Sequence, residues 1–140
     1  ADVDLGISTL LTADYVHDVS ERLTLYKRLA SSKHPDTVDS FKGELIDRFG
    51  PLNPAGNNLI GVTKLTLLAN SLGIKKIRSG REYGLITFTE TADINHQQLI
   101  KLIQLQPKNY QLQKQTRLRY RLKDGCLIQQ CQDILTGLKT

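Results

Sequence analysis

Two hydrophobic periodicities follow one another along this chain, and their order limits the folds that it can adopt. Between residues 18 and 72, apolar residues recur every three or four positions, the spacing of amphipathic helices. In segment 117–123 apolar residues instead alternate with basic and polar ones, the spacing of a strand, and segments 74–78 and 85–89 are typical of a hairpin across a turn that contains glycine. A helical block followed by strands with further helices between them is typical of α+β domains. We therefore predict about five helices packed on a small, mostly antiparallel sheet.

Local signals set the expected ends of these elements. A first strand is expected over Val3–Leu11, and Asp18 with Glu21 forms a capping box for a first helix over residues 18–31. Capping residues, glycines and prolines delimit the other helices. These are expected from Asp36 to Phe49, Asn53 to Gly73, Asn95 to Gln106 and Asp124 to Leu138.

The size and composition of the chain favour one domain of a larger protein. Its 140 residues can bury a core without disulfides, and no apolar run approaches the length of a membrane span. The chain begins at Ala1 and contains no methionine, so we expect a piece of a longer polypeptide. We predict a single domain over 1–140, with a helical arm at 1–52 and an α/β remainder at 53–140. The two cysteines are expected to be small buried side chains of a cytoplasmic protein, with no membrane partner.

Motifs for catalysis and cofactor binding are missing from the sequence. It contains no G-x-x-x-x-G-K-[ST] phosphate loop and no G-x-S-x-G elbow. Gly80 and Gly84 fit a hairpin turn, whereas a dinucleotide motif opens a helix. The three histidines lie far apart and lack metal-ligand spacing. We expect neither an enzyme nor a bound cofactor or metal in this chain.

A charged stripe on the second predicted helix is the first candidate site. At about 100° per residue, Glu44, Asp47 and Arg48 form one continuous polar strip beside the apolar side of the helix. Two interpretations are open. Glu44 and Arg48 are four residues apart and could pair within the helix, or the strip could bind a partner protein. Gly43 lies in the same helix, and a glycine there is best tolerated where another backbone approaches closely.

Basic residues on the predicted strands are the second candidate site. Residues 51–140 hold thirteen basic and five acidic side chains, while residues 1–50 hold six and nine. Such clusters bind nucleic-acid backbones. They also occur on strand edges that charge protects from aggregation. The residues concerned are Lys75, Lys76, Arg78, Arg117, Arg119 and Arg121.

Four strings, in this order and spacing, resemble a known family. They are L-L-T-A-D-Y at 10–15, R-L-T-L-Y-K-R at 22–28, E-L-I-D-R-F-G at 44–50 and L-G-I-K-K at 72–76. Together they resemble the C-terminal domain of the bacterial transcription-repair coupling factors, the Mfd family. The resemblance covers essentially the whole chain.

The resemblance implies a regulatory role for this chain within an ATP- and Mg-dependent double-stranded-DNA translocase of helicase type. Such a parent binds stalled RNA polymerase and recruits the excision-repair protein UvrA. The C-terminal domain docks on the parent's UvrB-like N-terminal module, masks the UvrA-binding surface and restrains the motor. The family's docking residues match Glu44, Asp47 and Arg48. Gly43 and His17 depart from the family pattern, but neither is a docking residue.

Overall fold

The structure, a computed structural model, describes all 140 residues and contains five helices and five strands. In chain order these are β1 (Asp2–Asp4), α1 (Val19–Ala30), α2 (Pro35–Phe49), α3 (Pro54–Ser71), β2 (Ile74–Ser79), β3 (Tyr83–Phe88), α4 (His96–Leu105), β4 (Tyr110–Gln113), β5 (Arg117–Arg121) and α5 (Leu127–Gly137).

The strands form one sheet in the order β1-β2-β3-β5-β4. Strand β1 runs parallel to β2, and every other neighbouring pair is antiparallel. The predicted α+β class, with about five helices on a small, mostly antiparallel sheet, is therefore confirmed. None of the helices combines the length and apolar character that crossing a bilayer requires.

The strand predictions were wrong at three places. The first strand covers only Asp2–Asp4 instead of Val3–Leu11. Gly84 lies inside β3, not in the hairpin turn. Strand β4 was not predicted, because the loop that joins it to β5 has left-handed backbone at Lys114 and Gln115. Neither residue is a typical turn signal, since glycine and asparagine dominate that conformation.

Helix ends and buried faces also differ in detail from the predictions. The helical spacing of Val19, Leu23, Tyr26 and Ala30 predicts one apolar stripe along α1, yet Val19 and Leu23 are more than half exposed, at 59% and 56%. The buried side chains of α1 are Leu25 and Leu29. Helix α5 begins after Cys126, whose sulfur accepts a hydrogen bond from the Gln129 N–H, so Asp124 is not its cap.

The chain divides into two compact units. The helical unit, Ile7–Leu67, has its core between α1, α2 and the first part of α3, where Leu25, Leu45 and Ile60 are buried. The expected arm ended at residue 52. The helical unit extends to Leu67 because Leu59, Ile60 and Leu67 of α3 pack into its core.

The sheet unit consists of Ala1–Gly6 and Leu68–Thr140. One face of its sheet is apolar, and in adjacent strands Ile77, Ile86 and Leu118 stand side by side and are fully buried. Cys131 is buried as expected, but Cys126 is exposed, so the prediction of two buried cysteines was wrong for Cys126.

Candidate functional site

The predicted stripe lies at the surface of α2 in the helical unit. Val38, Phe41 and Leu45 anchor the helix in the core, as their spacing predicted. Glu44 is half-buried at the edge of this apolar side, while Asp47 and Arg48 are exposed. We call Glu44, Asp47 and Arg48 the α2 stripe.

Glu44 pairs with a residue of α1. An Arg28 guanidinium nitrogen lies 2.5 Å from a Glu44 carboxylate oxygen. The same guanidinium lies 5.3 Å from the centre of the Phe41 ring, within the range of cation–π attraction. Both side chains of the pair are nearly half exposed, so the pair orients Glu44 but stabilises the fold by only about 0–1 kcal/mol.

Arg48 makes the equivalent contact at the other end of the stripe. It donates a hydrogen bond to the Glu21 carboxylate of α1, and its guanidinium lies 4.8 Å from the centre of the Phe49 ring. The intrahelical pair between Glu44 and Arg48 is therefore not formed. Each of the two charges has a partner of opposite sign on the neighbouring helix.

Asp47 differs from its two neighbours in the stripe. It is exposed and makes no ion pair or side-chain hydrogen bond. One residue earlier, Ile46 is 39% exposed. On the same side of the helix, a Cβ added at Gly43 would have no heavy atom within 4 Å apart from the adjacent backbone of its own helix. The expected close backbone approach at Gly43 is therefore absent within the domain, and the surface beside Asp47 is unobstructed.

Two α1 residues of this site, Glu21 and Arg28, were missed by the sequence analysis. Glu21 was assigned to a capping box, but the Asp18 carboxylate accepts from Ser20 N–H and the Glu21 carboxylate meets Arg48. The seven-residue spacing of Glu21 and Arg28 places them on one side of α1. Glu44 and Arg48 likewise share a side of α2. An acidic and a basic residue on one side of each helix could therefore have indicated the two interhelical ion pairs.

The hydroxyl of Tyr15 holds the end of α2 in place. The Tyr15 hydroxyl donates to the backbone carbonyls of Gly50, at 2.8 Å, and Leu45, at 3.3 Å. These contacts fix the C-terminal turn of the helix, where Asp47 and Arg48 lie. Partial burial raises the pKa of the Tyr15 phenol, so the group stays protonated and able to donate at neutral pH.

The predicted basic residues all lie in the sheet unit, and the structure brings most of them to one face. Lys76 and Arg78 of β2, with Arg117, Arg119 and Arg121 of β5, lie on the sheet face opposite the buried Ile77, Ile86 and Leu118. Lys75, at a bulge in β2, lines the same region. We call this surface the basic face.

A concavity of about 490 Å³ lies between α4 and α5. Its walls include Leu102, Leu105, Tyr110 and Ile134. It contains none of the predicted site residues. Burial raises the pKa of the Tyr110 phenol at its floor, so this side chain is neutral under physiological conditions.

Comparisons with known proteins agree with the sequence resemblance. The family model described as the TRCF domain matches residues 5–99. The protein named transcription-repair-coupling factor from Escherichia coli K12 is 40% identical over 119 residues, which are 85% of this chain and 10% of that protein. The one from Haemophilus influenzae is 42% identical over 110 residues, which are 79% of this chain and 10% of that protein. The chain thus spans about a tenth of these relatives.

A solved structure has the same fold. The crystal structure described as the C-terminal domain of transcription-repair coupling factor superposes with a TM-score of 0.81. The match covers 97% of this chain and 88% of that one, at 15% sequence identity.

Proposed function

This chain belongs to the TRCF domain family of transcription-repair-coupling factors, and from this membership we propose that it is a regulatory protein-interaction domain. The chain is then the C-terminal domain of a larger cytoplasmic ATPase, which is a double-stranded-DNA translocase that acts on RNA polymerase. The domain docks on the parent's UvrB-like N-terminal module. The docked state hides the surface that binds UvrA and restrains the motor, where ATP and Mg bind.

The observation that carries this proposal is the state of Asp47. An exposed carboxylate with no partner, flanked by the exposed Ile46 and the uncovered Gly43, contributes nothing visible to the domain's own fold. A negative charge beside apolar surface suits a partner that supplies a basic side chain and a flat backbone segment. Interfaces bury apolar surface around a few residues that carry most of the binding energy, and a desolvated charge pair can be one of these.

The other two residues of the α2 stripe support the same role. Arg28 and Glu21 hold Glu44 and Arg48 in extended positions at the surface. Exposed pairs of this kind contribute little to stability, so they can exchange partners on docking at small cost. The two internal pairs therefore preorganise the stripe without locking it.

The strength of such a latch can be estimated. A tethered domain meets its docking site at an effective concentration of about 1 mM. With an intrinsic Kd of about 10 μM, the closed state is favoured ~100-fold, or about 2.7 kcal/mol. Losing one partner of a buried interface ion pair costs roughly 2–5 kcal/mol. One substitution is therefore enough to open the parent.

The test is Asp47→Ala in the full-length parent. We expect this variant to bind UvrA more tightly and to hydrolyse ATP faster without RNA polymerase, each by about tenfold or more. The stability of the isolated domain should not change, because Asp47 has no internal partner. Arg48→Glu should open the parent as well, but it also places two carboxylates together at Glu21.

Glu90→Ala is the matched control, since it removes one exposed carboxylate from a loop of the sheet unit. It should leave UvrA binding and ATPase activity unchanged. If Asp47→Ala behaves like Glu90→Ala in both assays, the α2 stripe does not form the latch and the proposal fails.

A further inference from the structure

The basic face is built from side chains that are distant in sequence but adjacent across β3. Lys76, Thr87 and Arg117 form one row across β2, β3 and β5, and Arg78, Leu85 and Arg119 form the next. Arg121 pairs with Tyr83 at the end of β3. Neighbouring strands are about 4.8 Å apart, so the basic residues form two lines about 10 Å apart with a neutral strand between them.

Strands β2, β3 and β5 contain six basic residues and no acidic residue. The usual structural explanation, charge that protects an exposed sheet edge, does not apply here. Strands β2 and β5 are internal, because β1 and β4 form the edges of the sheet. The like charges along β2, along β5 and across β3 repel one another, and this repulsion disfavours the folded state. An anionic ligand would remove the repulsion.

A shallow concavity of about 310 Å³ lies within this face. Leu85 and Thr87 form its floor, and basic side chains from both sides surround it: Lys75, Lys76, Arg78 and Arg117. Positive groups on both sides of a neutral, partly apolar floor suit a chain of phosphates carrying planar, apolar bases.

Arg119 provides a surface for stacking. Its guanidinium lies 3.7 Å from the centre of the Tyr83 ring, in direct cation–π contact. Nucleobases stack on aromatic rings and on guanidinium planes, and they do so with little dependence on sequence. A base can therefore extend the stack that Tyr83 and Arg119 begin.

From this arrangement we propose that the basic face binds single-stranded nucleic acid, with its phosphates along the β2 and β5 side chains and a base against Arg119. Alternate residues of a strand repeat every ~6.8 Å, and an extended single strand can follow that repeat along β5. A duplex is less suitable, since its grooves are entered by a helix or a β-ribbon and not by a flat sheet face.

Two carboxylates of the edge strand β1 already compete for this face, since Asp2 and Asp4 are paired in register with Lys76 and Arg78. Asp2 of the edge strand β1 accepts a hydrogen bond from Arg78, with 2.5 Å between the carboxylate oxygen and the guanidinium nitrogen. This bond lowers the pKa of the Asp2 carboxyl, so Asp2 stays ionised and holds Arg78 throughout the physiological pH range. Removing the Asp2 charge should therefore strengthen the binding of nucleic acid, and this substitution is used in the test below.

The experiment measures anisotropy of a labelled oligothymidylate titrated with this 140-residue chain over a range of salt concentrations. Arg117→Ala/Arg121→Ala should lower the slope of log affinity against log salt by about 1.4, which is roughly twentyfold weaker binding at 0.1 M salt. Lys108→Ala/Lys139→Ala removes the same charge from exposed sites outside the basic face and should have a much smaller effect. Circular dichroism of each variant checks the fold.

Two further variants separate the parts of the site. Asp2→Asn should strengthen binding about fivefold, since it frees one more cation for a phosphate. Arg119→Lys keeps the charge but loses the plane, so we expect about tenfold weaker binding with an unchanged salt slope.

Three results would overturn the proposal. The first is equal loss of binding in the Arg117/Arg121 and Lys108/Lys139 variants. The second is tighter binding of a duplex of the same length, and the third is tighter binding of polyglutamate, which would assign the face to an acidic protein. The Asp47→Ala test concerns another surface, so the two proposals can fail separately.

Discussion

The two units of this domain handle charge in opposite ways. The helical unit holds seven basic and seven acidic residues, and three ion pairs join its helices. The sheet unit holds twelve basic and seven acidic residues, so the whole excess of +5 belongs to it. Its one ion pair, between Arg78 and Asp2, is at the edge of the sheet.

This difference indicates two kinds of recognition. In the helical unit, six charged side chains form three interhelical ion pairs in the free domain, and Asp47 is the residue of the α2 stripe without one. A partner must match a particular arrangement of a few residues. In the sheet unit, many like charges stay unpaired on one face, which suits a repetitive polyanion whose binding depends on salt. Specific docking and a general electrostatic surface can therefore coexist in one small domain.

The largest expected effect tests how tightly the sheet unit is packed. Gly84 of β3 faces Tyr120 of β5, and an added Cβ would lie 2.1 Å from the nearest ring atom. We expect Gly84→Ala to lower the free energy of unfolding by about 3 kcal/mol, since the buried ring has no space to move. Urea denaturation measures the change.

Gly137→Ala is the control for this variant. Gly137 is also in the sheet unit, but a Cβ there would meet nothing within 4 Å. Its substitution should leave stability unchanged or raise it slightly. If the two variants are equally stable, the ring of Tyr120 is free to shift and the core of the sheet unit is looser than described.

The second prediction concerns how stability depends on pH, through two ionisable side chains that are buried in the core of the sheet unit, Cys131 and Tyr120. Burial raises the pKa of the Cys131 thiol to about 11 and raises that of the Tyr120 phenol as well. As the pH rises, the unfolded chain loses these protons before the folded chain does. The contribution of these groups to the free energy of unfolding is therefore fully present below the usual cysteine pKa, and it is lost as the pH rises to about 11. For Cys131 alone this amounts to about 3 kcal/mol.

Thermal or urea denaturation between pH 8 and pH ~11 measures this dependence. In Cys131→Ala the decline in stability with pH should be shallower than in the parent chain. Cys126→Ala, at the exposed cysteine, should leave the decline unchanged. An identical pH dependence in all three proteins would mean that Cys131 ionises normally in the folded state.

The smallest effect belongs to the open surface of the helical unit. Gly43→Ala should raise the free energy of unfolding by about 1 kcal/mol, because alanine is the better helix former and has space there. The same variant should weaken docking in the full-length parent if a partner backbone approaches Gly43. A stability gain without any change in UvrA binding would remove Gly43 from the proposed interface.

Much of the fold follows from local patterns. The helical spacing of Val38, Phe41 and Leu45 and the alternation of Leu118 and Tyr120 predicted elements that the structure contains. Such patterns act over a few residues, so they determine which side of an element is apolar. They did not reveal β4, since Lys114 and Gln115 adopt left-handed conformations without being turn residues.

The candidate site was predictable only in part. The sequence located Glu44, Asp47 and Arg48 on one strip, but it suggested a bond between Glu44 and Arg48 that does not exist. Which partner each charge meets depends on how α1 and α2 are rotated against each other, and the side chains of the whole helical core determine that rotation.

What the sequence determined by itself was the five helices, every strand except β4, most of their buried sides and the family. The tertiary structure alone decided that two basic strands, separated by some forty residues, lie on either side of β3. It also decided which of three neighbouring charges is left without a partner. Periodicity is a local property of the backbone, whereas strand order and helix rotation depend on the packing of distant segments.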